Sequence, residues 1–269
     1  MKFEVISLFP DMIEGALRYG LVAQAVREKL ISVEVTSPRQ FTQDFHKTVD
    51  DRPYGGGDGM ILLAEPLAQA VQFIQQKSEQ RPYVVYLSAQ GQKWTDSMAR
   101  EWSQSFHHGE WQNRPLVLIC GRYGGVDQRF INQFVDQEIS VGDYVLTGGE
   151  LPALTVIDTM ARFVPGVLGN SASAQVESFA QSRLEGPSFT RPQNFSGQTV
   201  PAVLLTGDHK KIQAWRQDIS DLLTYLRRPD LLAGEARESL NLQEKLKRVS
   251  REDLIACGLT EEELKTLSL

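Results

Sequence analysis

The chain has 269 residues, of which 41% are hydrophobic and 23% are charged, a composition typical of a folded globular protein and not of a disordered one. Its net charge of −6 at pH 7 argues against a protein that binds nucleic acid by bulk positive charge. Two cysteines, Cys120 and Cys257, match neither a disulfide framework nor a zinc-binding spacing. The N-terminal apolar stretch is short and is broken by Glu4 and Pro10, so we expect no signal peptide or membrane span and predict a cytoplasmic protein.

The N-terminal part of the chain predicts an alternation of strands and helices. Phe3–Leu8 and Val33–Val35 are apolar runs typical of strands, and Met12–Leu30 between them carries apolar residues at helical spacing. The polar, glycine-rich residues 36–60 predict a loop, and a further helix is expected over residues 65–74. Alternation of this kind favours an α/β fold, with a mostly parallel sheet and helices on both faces.

Three apolar runs in the middle of the chain each end in a glycine-bearing loop. The runs are Tyr83–Leu87, Leu116–Cys120 and Ile139–Val141, and the loops are residues 88–91, 121–125 and 142–149. Open parallel sheets bind ligands beyond the carboxyl ends of their strands, and glycine lets the backbone approach a ligand closely. One such loop could simply close a tight turn, but three neighbouring loops predict one ligand site. A helix is expected to follow them over residues 151–164.

A run of small and polar residues, Gly169–Gln175, predicts a flexible connection between two domains. Beyond it we expect a short strand, Ala202–Leu205, and helices over residues 210–228 and 240–267. We therefore predict a first domain over residues 1–168, a linker over 169–176 and a mainly helical second domain over 177–269.

Lys and Arg outnumber Asp and Glu over residues 182–230, where aromatic residues are interleaved with them. A local basic and aromatic face binds folded RNA through phosphate contacts and stacking, even on an acidic protein. The alternative is an ordinary solvated helical face.

Several common catalytic motifs are missing from the sequence. The first strand is not followed by G-x-G-x-x-G, and neither a P-loop, nor H-E-x-x-H, nor G-x-S-x-G occurs. The four histidines, His46, His107, His108 and His209, are too scattered to predict a metal site. The glycine loops instead offer backbone, small residues and the rings of Tyr123 and Tyr144, which suit an adenosine-like ligand held by main-chain hydrogen bonds.

Seven strings of the chain resemble those of the bacterial tRNA (guanine-N1)-methyltransferases, which belong to the knotted SPOUT methyltransferases. The resemblance as a whole spans residue 1 to about residue 232. The seven strings are Ile6–Pro10, Lys47–Gly57, Cys120–Tyr123, Gly142–Pro152, Arg162–Gly169, Thr190–Pro192 and Leu226–Leu232.

The resemblance implies a deep trefoil knot, an S-adenosyl-L-methionine site inside it, an obligate homodimer and tRNA as the partner, with no membrane or DNA. Whether the protein uses Mg²⁺ is left open, because the sequence shows no set of residues that would bind it. The resemblance implies a cofactor pocket formed by Tyr86, Leu87, Ser88, Gly121, Tyr123, Val141, Gly142, Asp143, Tyr144, Val145, Leu146, Gly148, Gly149 and Pro152.

In this family the methyl group goes to N1 of the guanosine immediately 3′ of the anticodon. Guanine N1 carries a proton at neutral pH, so the reaction needs a base to remove it and a cation to stabilise charge on O6. The resemblance implies Glu177 as the base and Arg162 as the cation. It also implies that the tRNA is bound by Asp50, Arg52, Arg191, Arg227 and Arg228, with Asp50 reading the preceding guanosine.

The chain departs from the family pattern in three places. Relatives more often carry Asp where Glu177 stands, Glu where Gly124 stands and Pro where Ala89 stands. Without the resemblance, Glu177 would be a solvated linker carboxylate and Arg162 would form a helix ion pair with Asp158. Two other functions are therefore kept as alternatives, a knotted RNA ribose 2′-O-methyltransferase and a catalytically silent RNA-binding protein.

Overall fold

The computed structural model describes residues 1–169, 177–232 and 240–267. The chain forms two compact units, Met1–Ser171 and Ala172–Leu269. Apart from Gly169, the predicted linker over residues 169–176 lies outside the described residues.

The first unit is built on a five-stranded sheet in which every neighbouring pair is parallel, in the order β2-β1-β6-β5-β7. The strands of this unit are β1 (Lys2–Ile6), β2 (Ser32–Thr36), β3 (Asp50–Asp51), β4 (Ile61–Leu62), β5 (Tyr83–Lys93), β6 (Leu116–Cys120) and β7 (Gln137–Ser140). Strands β3 and β4 form a separate antiparallel hairpin. The predicted α/β class with a mostly parallel sheet is confirmed.

Helices cover both faces of this sheet, and the side chains of β6 show how. Leu116, Leu118 and Cys120 point into a core shared with α1, α2, α4 and α6, whereas Val117 and Ile119 point into a core shared with α3 and α5. A strand buried on both faces is apolar throughout, as β6 is. These helices are α1 (Pro10–Ala16), α2 (Gly20–Arg27), α3 (Ala64–Gln76), α4 (Asp96–His108), α5 (Gln128–Phe134) and α6 (Glu150–Ala161).

Three predicted elements of the chain are wrong, at Met12–Leu30, at Ala202–Leu205 and at residues 240–267. The single helix expected over Met12–Leu30 is α1 and α2, because the chain turns at residues 17–19 and Gly20 takes a left-handed φ of +75°. The strand expected over Ala202–Leu205 is a 3₁₀ turn that begins after Pro201, whose carbonyl accepts from the Leu204 amide at 3.0 Å. Periodicity alone cannot separate a strand from a helical turn in so short an apolar run.

The second unit contains one long helix and several short elements. They are a hairpin of β8 (Asn194–Phe195) and β9 (Gln198–Thr199), followed by α7 (His209–Arg227), α8 (Leu242–Arg248), α9 (Arg251–Ala256) and α10 (Glu261–Thr266). Trp215, Ile219 and Leu222 of α7 pack against Leu254 and Leu264 of the last two helices. The single helix predicted over 240–267 is thus three helices, because Ser250 and Thr260 each cap a new helix N-terminus.

In the described ranges, no helix is both long enough and apolar enough to cross a membrane.

Candidate active site

A cavity of about 230 Å³ lies beyond the carboxyl ends of β5, β6 and β7. The three glycine-bearing loops predicted from the sequence meet there, as the parallel sheet requires. All the residues expected to hold the cofactor line this cavity except Asp143, which is exposed and lies with its carboxylate 3.9 Å from Lys93 Nζ. The cavity is also lined by residues that the sequence did not assign to the cofactor, namely Ala89, Arg122, Gly124, Gly125 and Thr147 of the loops and Ile139 and Ser140 of β7.

Close backbone approach explains several of the glycines. A Cβ on Gly149 would lie 2.6 Å from the Cys120 Cα, and one on Gly121 would lie 2.8 Å from the Tyr86 ring. The Gly149 amide donates to the Gly121 carbonyl at 2.9 Å, so the loop after β7 is joined directly to the loop after β6. Side chains at these positions would separate the two loops and open the cavity.

Arg122 and Glu150 form an ion pair beside the cavity. Glu150 is fully buried, and its two oxygens lie 2.8 Å from Arg122 Nη2 and 2.6 Å from Ser7 Oγ, which donates to it. Arg122 also donates to the Thr147 carbonyl at 3.1 Å and lies over the Phe9 ring at 4.5 Å. The pair thereby links the segment after β1, the loop after β6, the loop after β7 and the first residue of α6.

The ion pair decides the electrostatics of the cavity. Arg122 is the only charged side chain among the described residues that line it, and Glu150 neutralises it. Burial, with a smaller contribution from the Glu150 charge, raises the pKa of the nearby Cys120 thiol well above its usual range. A neutral lining of backbone, small residues and aromatic rings favours an uncharged or cationic ligand over a phosphate.

The hairpin of β3 and β4, called the Asp50 hairpin after the first residue of β3, lies against the same cavity. The Gly124 amide donates to the Met60 carbonyl at 2.8 Å, and the Leu62 amide donates to the Gly125 carbonyl at 2.9 Å. A Cβ on Gly124 would lie 3.0 Å from the Met60 carbonyl oxygen, so this close contact explains why residue 124 is glycine. The loop that begins at Asp50 is therefore anchored to a loop of the cavity.

The two residues expected to catalyse the reaction lie in different units. Arg162 caps the C-terminus of α6, the helix whose first residue is Glu150. Glu177 lines a second cavity, of about 460 Å³, within the second unit. That cavity is also lined by three basic side chains that the sequence did not assign to a site, Arg183, His209 and Arg216.

The arginines expected to bind tRNA differ in their surroundings. Arg191 and Arg52 are exposed. Arg227 donates to Glu263 and to the Gly258 carbonyl, each at 2.8 Å, and Arg228 forms a two-bonded pair with Asp230. Arg227 and Arg228 thus both carry intramolecular ion pairs.

The family model of tRNA (Guanine-1)-methyltransferase TrmD matches residues 1–234. The chain belongs to this family.

Relatives named "tRNA (guanine-N(1)-)-methyltransferase" match over most of their length. The chain is 49% identical to that of Photobacterium profundum over 232 residues, 86% of this chain and 90% of the relative. It is 49% identical to that of Haemophilus influenzae over 236 residues, which are 88% of this chain and 93% of the relative. It is 46% identical to that of Pasteurella multocida over 252 residues, 94% and 98% of the two chains.

Membership of the tRNA (guanine-1)-methyltransferase family implies S-adenosyl-L-methionine as methyl donor and tRNA as substrate. The neutral cavity fits such a donor, whose adenosine needs apolar surface and main-chain partners and whose sulfonium is cationic. Among the residues that the structure describes, no group of three or more His, Cys, Asp or Glu side chains could hold a metal ion.

Replacing Glu150 by Gln is expected to lower the free energy of unfolding of the first unit by about 3 kcal/mol, because Arg122 would keep its charge without a counter-charge in a buried place. Urea denaturation followed by tryptophan fluorescence measures this, since Trp94 and Trp102 lie in that unit. Glu14→Gln, at an exposed position of α1, is the matched control. A loss below about 1 kcal/mol for Glu150→Gln would contradict the role given to the pair.

Proposed function

We propose that the protein transfers a methyl group from S-adenosyl-L-methionine to N1 of the guanosine immediately 3′ of the anticodon of tRNA. The observation that carries the proposal is the neutral, glycine-lined cavity at the carboxyl ends of β5, β6 and β7 in a chain of this family. When bound, S-adenosyl-L-methionine supplies an electrophilic methyl group on a sulfonium. The residues of the cavity bind and orient this donor through the backbone of the glycine loops and the rings of Tyr123 and Tyr144.

The guanine base needs two kinds of help from the protein. Its N1–H must lose a proton, and the negative charge that then spreads to O6 must be stabilised. In the proposed roles Glu177 removes the proton and Arg162 donates to O6. The assignment of Arg162 is supported by α6, whose residues Val156, Ile157 and Met160 are buried, so that the helix places its C-terminal residue rigidly relative to the cavity.

The Asp50 hairpin is proposed to bind the base that precedes the target. A carboxylate accepts from the N1–H and N2–H donors of guanine. The proposal is supported by the contact of Met60 with Gly124, which joins this hairpin to the cavity.

A trefoil knot in the first unit is part of the proposal. It is supported by the path of the chain after β7, the edge strand that pairs with β5. The following segment does not continue outward; it returns to β6, where Gly148 pairs with Arg122 and Gly149 bonds to Gly121. True knots are rare and leave no periodic signal in a sequence.

Nucleoside analysis tests the proposed reaction. The protein is incubated with unmodified tRNA and S-adenosyl-L-methionine labelled in its methyl group, and the tRNA is then digested to nucleosides. The expected labelled product is 1-methylguanosine. A labelled 2′-O-methylnucleoside would instead indicate a ribose methyltransferase, and the absence of any labelled nucleoside would indicate an RNA-binding protein without catalytic activity.

We expect the protein to act as a homodimer in which Arg162 of one subunit works with Glu177 of the other. The proposal is supported by exposed apolar side chains beside the Arg122–Glu150 pair. Phe9, Met12 and Leu151 are 45%, 40% and 51% exposed, and a second copy would cover them.

Mixing inactive variants tests the shared site. Equal amounts of Arg162→Ala and Glu177→Ala protein should recover about a quarter of the parent activity, because random exchange gives half heterodimers with one intact site each. The mixture is unfolded and refolded together to allow exchange, and each variant refolded alone is the control. A mixture no more active than the variants alone would contradict a site shared between subunits.

A further inference from the structure

Two carboxylates of α7 are buried in the second unit and obtain their counter-charges from α8. Asp218 and Asp221 are each 4% exposed. Arg248 donates to both oxygens of Asp218 at 2.9 Å, and Lys245 Nζ lies 3.2 Å from Asp218 and 2.8 Å from Asp221. Both cations lie beyond residue 234, where the match to the family model ends.

One of these carboxylates, Asp221, also holds Arg183, which lines the cavity that carries Glu177. Arg183 Nε donates to Oδ1 of Asp221, whereas Lys245 binds the other oxygen of that carboxylate. Because Asp221 binds only the Nε side of the guanidinium, the rest of the Arg183 side chain lines the cavity. In total, 24% of this side chain is exposed.

Arg183 is also joined to the segment that carries Glu177. The Phe179 amide, two residues after Glu177, donates to the Arg183 carbonyl at 2.6 Å. The next residue, Leu184, donates its amide to Thr224 Oγ1 at 2.8 Å and accepts from Ser220 Oγ at 2.6 Å. The turn that bears Glu177 thus depends on its contacts with α7.

Charge balance explains why the cations of α8 matter for this turn. Asp218 and Asp221 lie three residues apart on one helix, where like charges repel, and burial increases the cost of each unpaired charge. Without Lys245, Arg183 would be the only cation on Asp221, whose other donor, the Gln217 amide at 3.2 Å, carries no charge. The guanidinium would then turn further toward Asp221 and away from the cavity.

We infer that Lys245 is a positioning residue for the tRNA substrate: with Arg248 paired to Asp218, Lys245 neutralises Asp221, so that Arg183 presents its guanidinium to the RNA backbone beside Glu177. Guanidinium groups bind phosphate through charge-assisted hydrogen bonds. This inference rests on the proposed function, because it takes the cavity of Glu177 as the place where tRNA binds.

Direct binding of tRNA tests the inference without the chemical step. The full-length protein with Lys245→Met is titrated with unmodified tRNA that has guanosine 3′ of the anticodon, and the Kd is measured by filter binding. We expect a Kd about 10-fold higher than that of the parent, while the Kd for S-adenosylhomocysteine is unchanged, since that ligand occupies the first unit. Lys247→Met is the matched control, because Lys247 lies exposed on the same helix.

A double-variant cycle separates positioning from a merely structural role. If Lys245 acts through Arg183, the Arg183→Met/Lys245→Met protein should bind tRNA no more weakly than Arg183→Met alone. Additive losses, or a Kd for Lys245→Met within about twofold of the parent, would overturn the inference. The parent protein and all these variants could show the expected tRNA binding, and the parent could still form no 1-methylguanosine. That outcome would count against the proposed function and not against this role of Lys245.

Limited proteolysis shows whether Lys245→Met unfolds the second unit. If it does, a second variant tests the inference instead. Asp221→Asn/Lys245→Met removes the uncompensated carboxylate along with the cation. The inference expects its Kd for tRNA to lie within a few-fold of the parent value, because no uncompensated carboxylate is left to draw Arg183 away from the cavity. A Kd that stays about 10-fold above that of the parent would overturn it.

Discussion

Replacing Glu177 by Gln is expected to slow methyl transfer by about 10²–10⁴-fold, the usual contribution of a general base. The amide keeps the size and polarity of the side chain but cannot accept a proton at neutral pH, so affinity for tRNA and for the cofactor should change little. Single-turnover rates with saturating tRNA measure the chemical step without contributions from product release.

Glu252→Gln is the matched control for this prediction, because it removes one carboxylate from an exposed position of α9 in the same unit. Its rate should equal that of the parent. A Glu177→Gln rate within a few-fold of the parent would remove Glu177 as the base and move attention to Asp50 or Asp143. Of these, Asp50 is the stronger candidate, because its hairpin is anchored to the cavity, whereas Asp143 is exposed and lies near Lys93.

Replacing Arg162 by Ala should slow the chemical step by about 10²–10³-fold, the cost of losing one donor to a developing oxyanion. Arg162→Lys should recover only part of that loss, because an ammonium keeps the charge but not the planar guanidinium fork. The measured quantities are kcat and KM for tRNA, and the loss is expected in kcat. Arg27→Ala, at an exposed position of α2, controls for the loss of one positive charge.

An alternative role for Arg162 is an ion pair with Asp158 that only stabilises α6. Asp158→Asn distinguishes the two roles. If Arg162 acts on O6, this variant keeps a rate within a few-fold of the parent. A loss of rate in Asp158→Asn as large as that in Arg162→Ala would contradict the catalytic role.

The sheet and its ligand loops were predictable because the signals are local. Each buried strand is a short apolar run, and each loop carries glycine shortly after the run. The parallel order then brings the loops to one edge without further information. The lining of the cavity by Gly121, Gly142 and Gly148 follows from this arrangement.

Other features depend on contacts between residues distant in the sequence. Arg122 lies in the loop after β6 and Glu150 is the first residue of α6, and nothing in the sequence around either residue indicates that they pair. Lys245 and Asp218 are likewise 27 positions apart, and the C-terminal stretch looks like an ordinary amphipathic helix. The roles of Glu177 and Arg162 stay predictions, since they depend on the resemblance and on chemistry that only kinetics can measure.

The position of the methyl group in the tRNA tests the central claim most directly. Two transcripts of one tRNA, with guanosine or with adenosine immediately 3′ of the anticodon, are incubated with the protein and S-adenosyl-L-methionine and cut into fragments for mass spectrometry. The account predicts one added methyl group in the anticodon-loop fragment of the guanosine transcript, located on the base, and none in the adenosine transcript. Methylation of both transcripts, or a methyl group on the ribose or in another fragment, would contradict it.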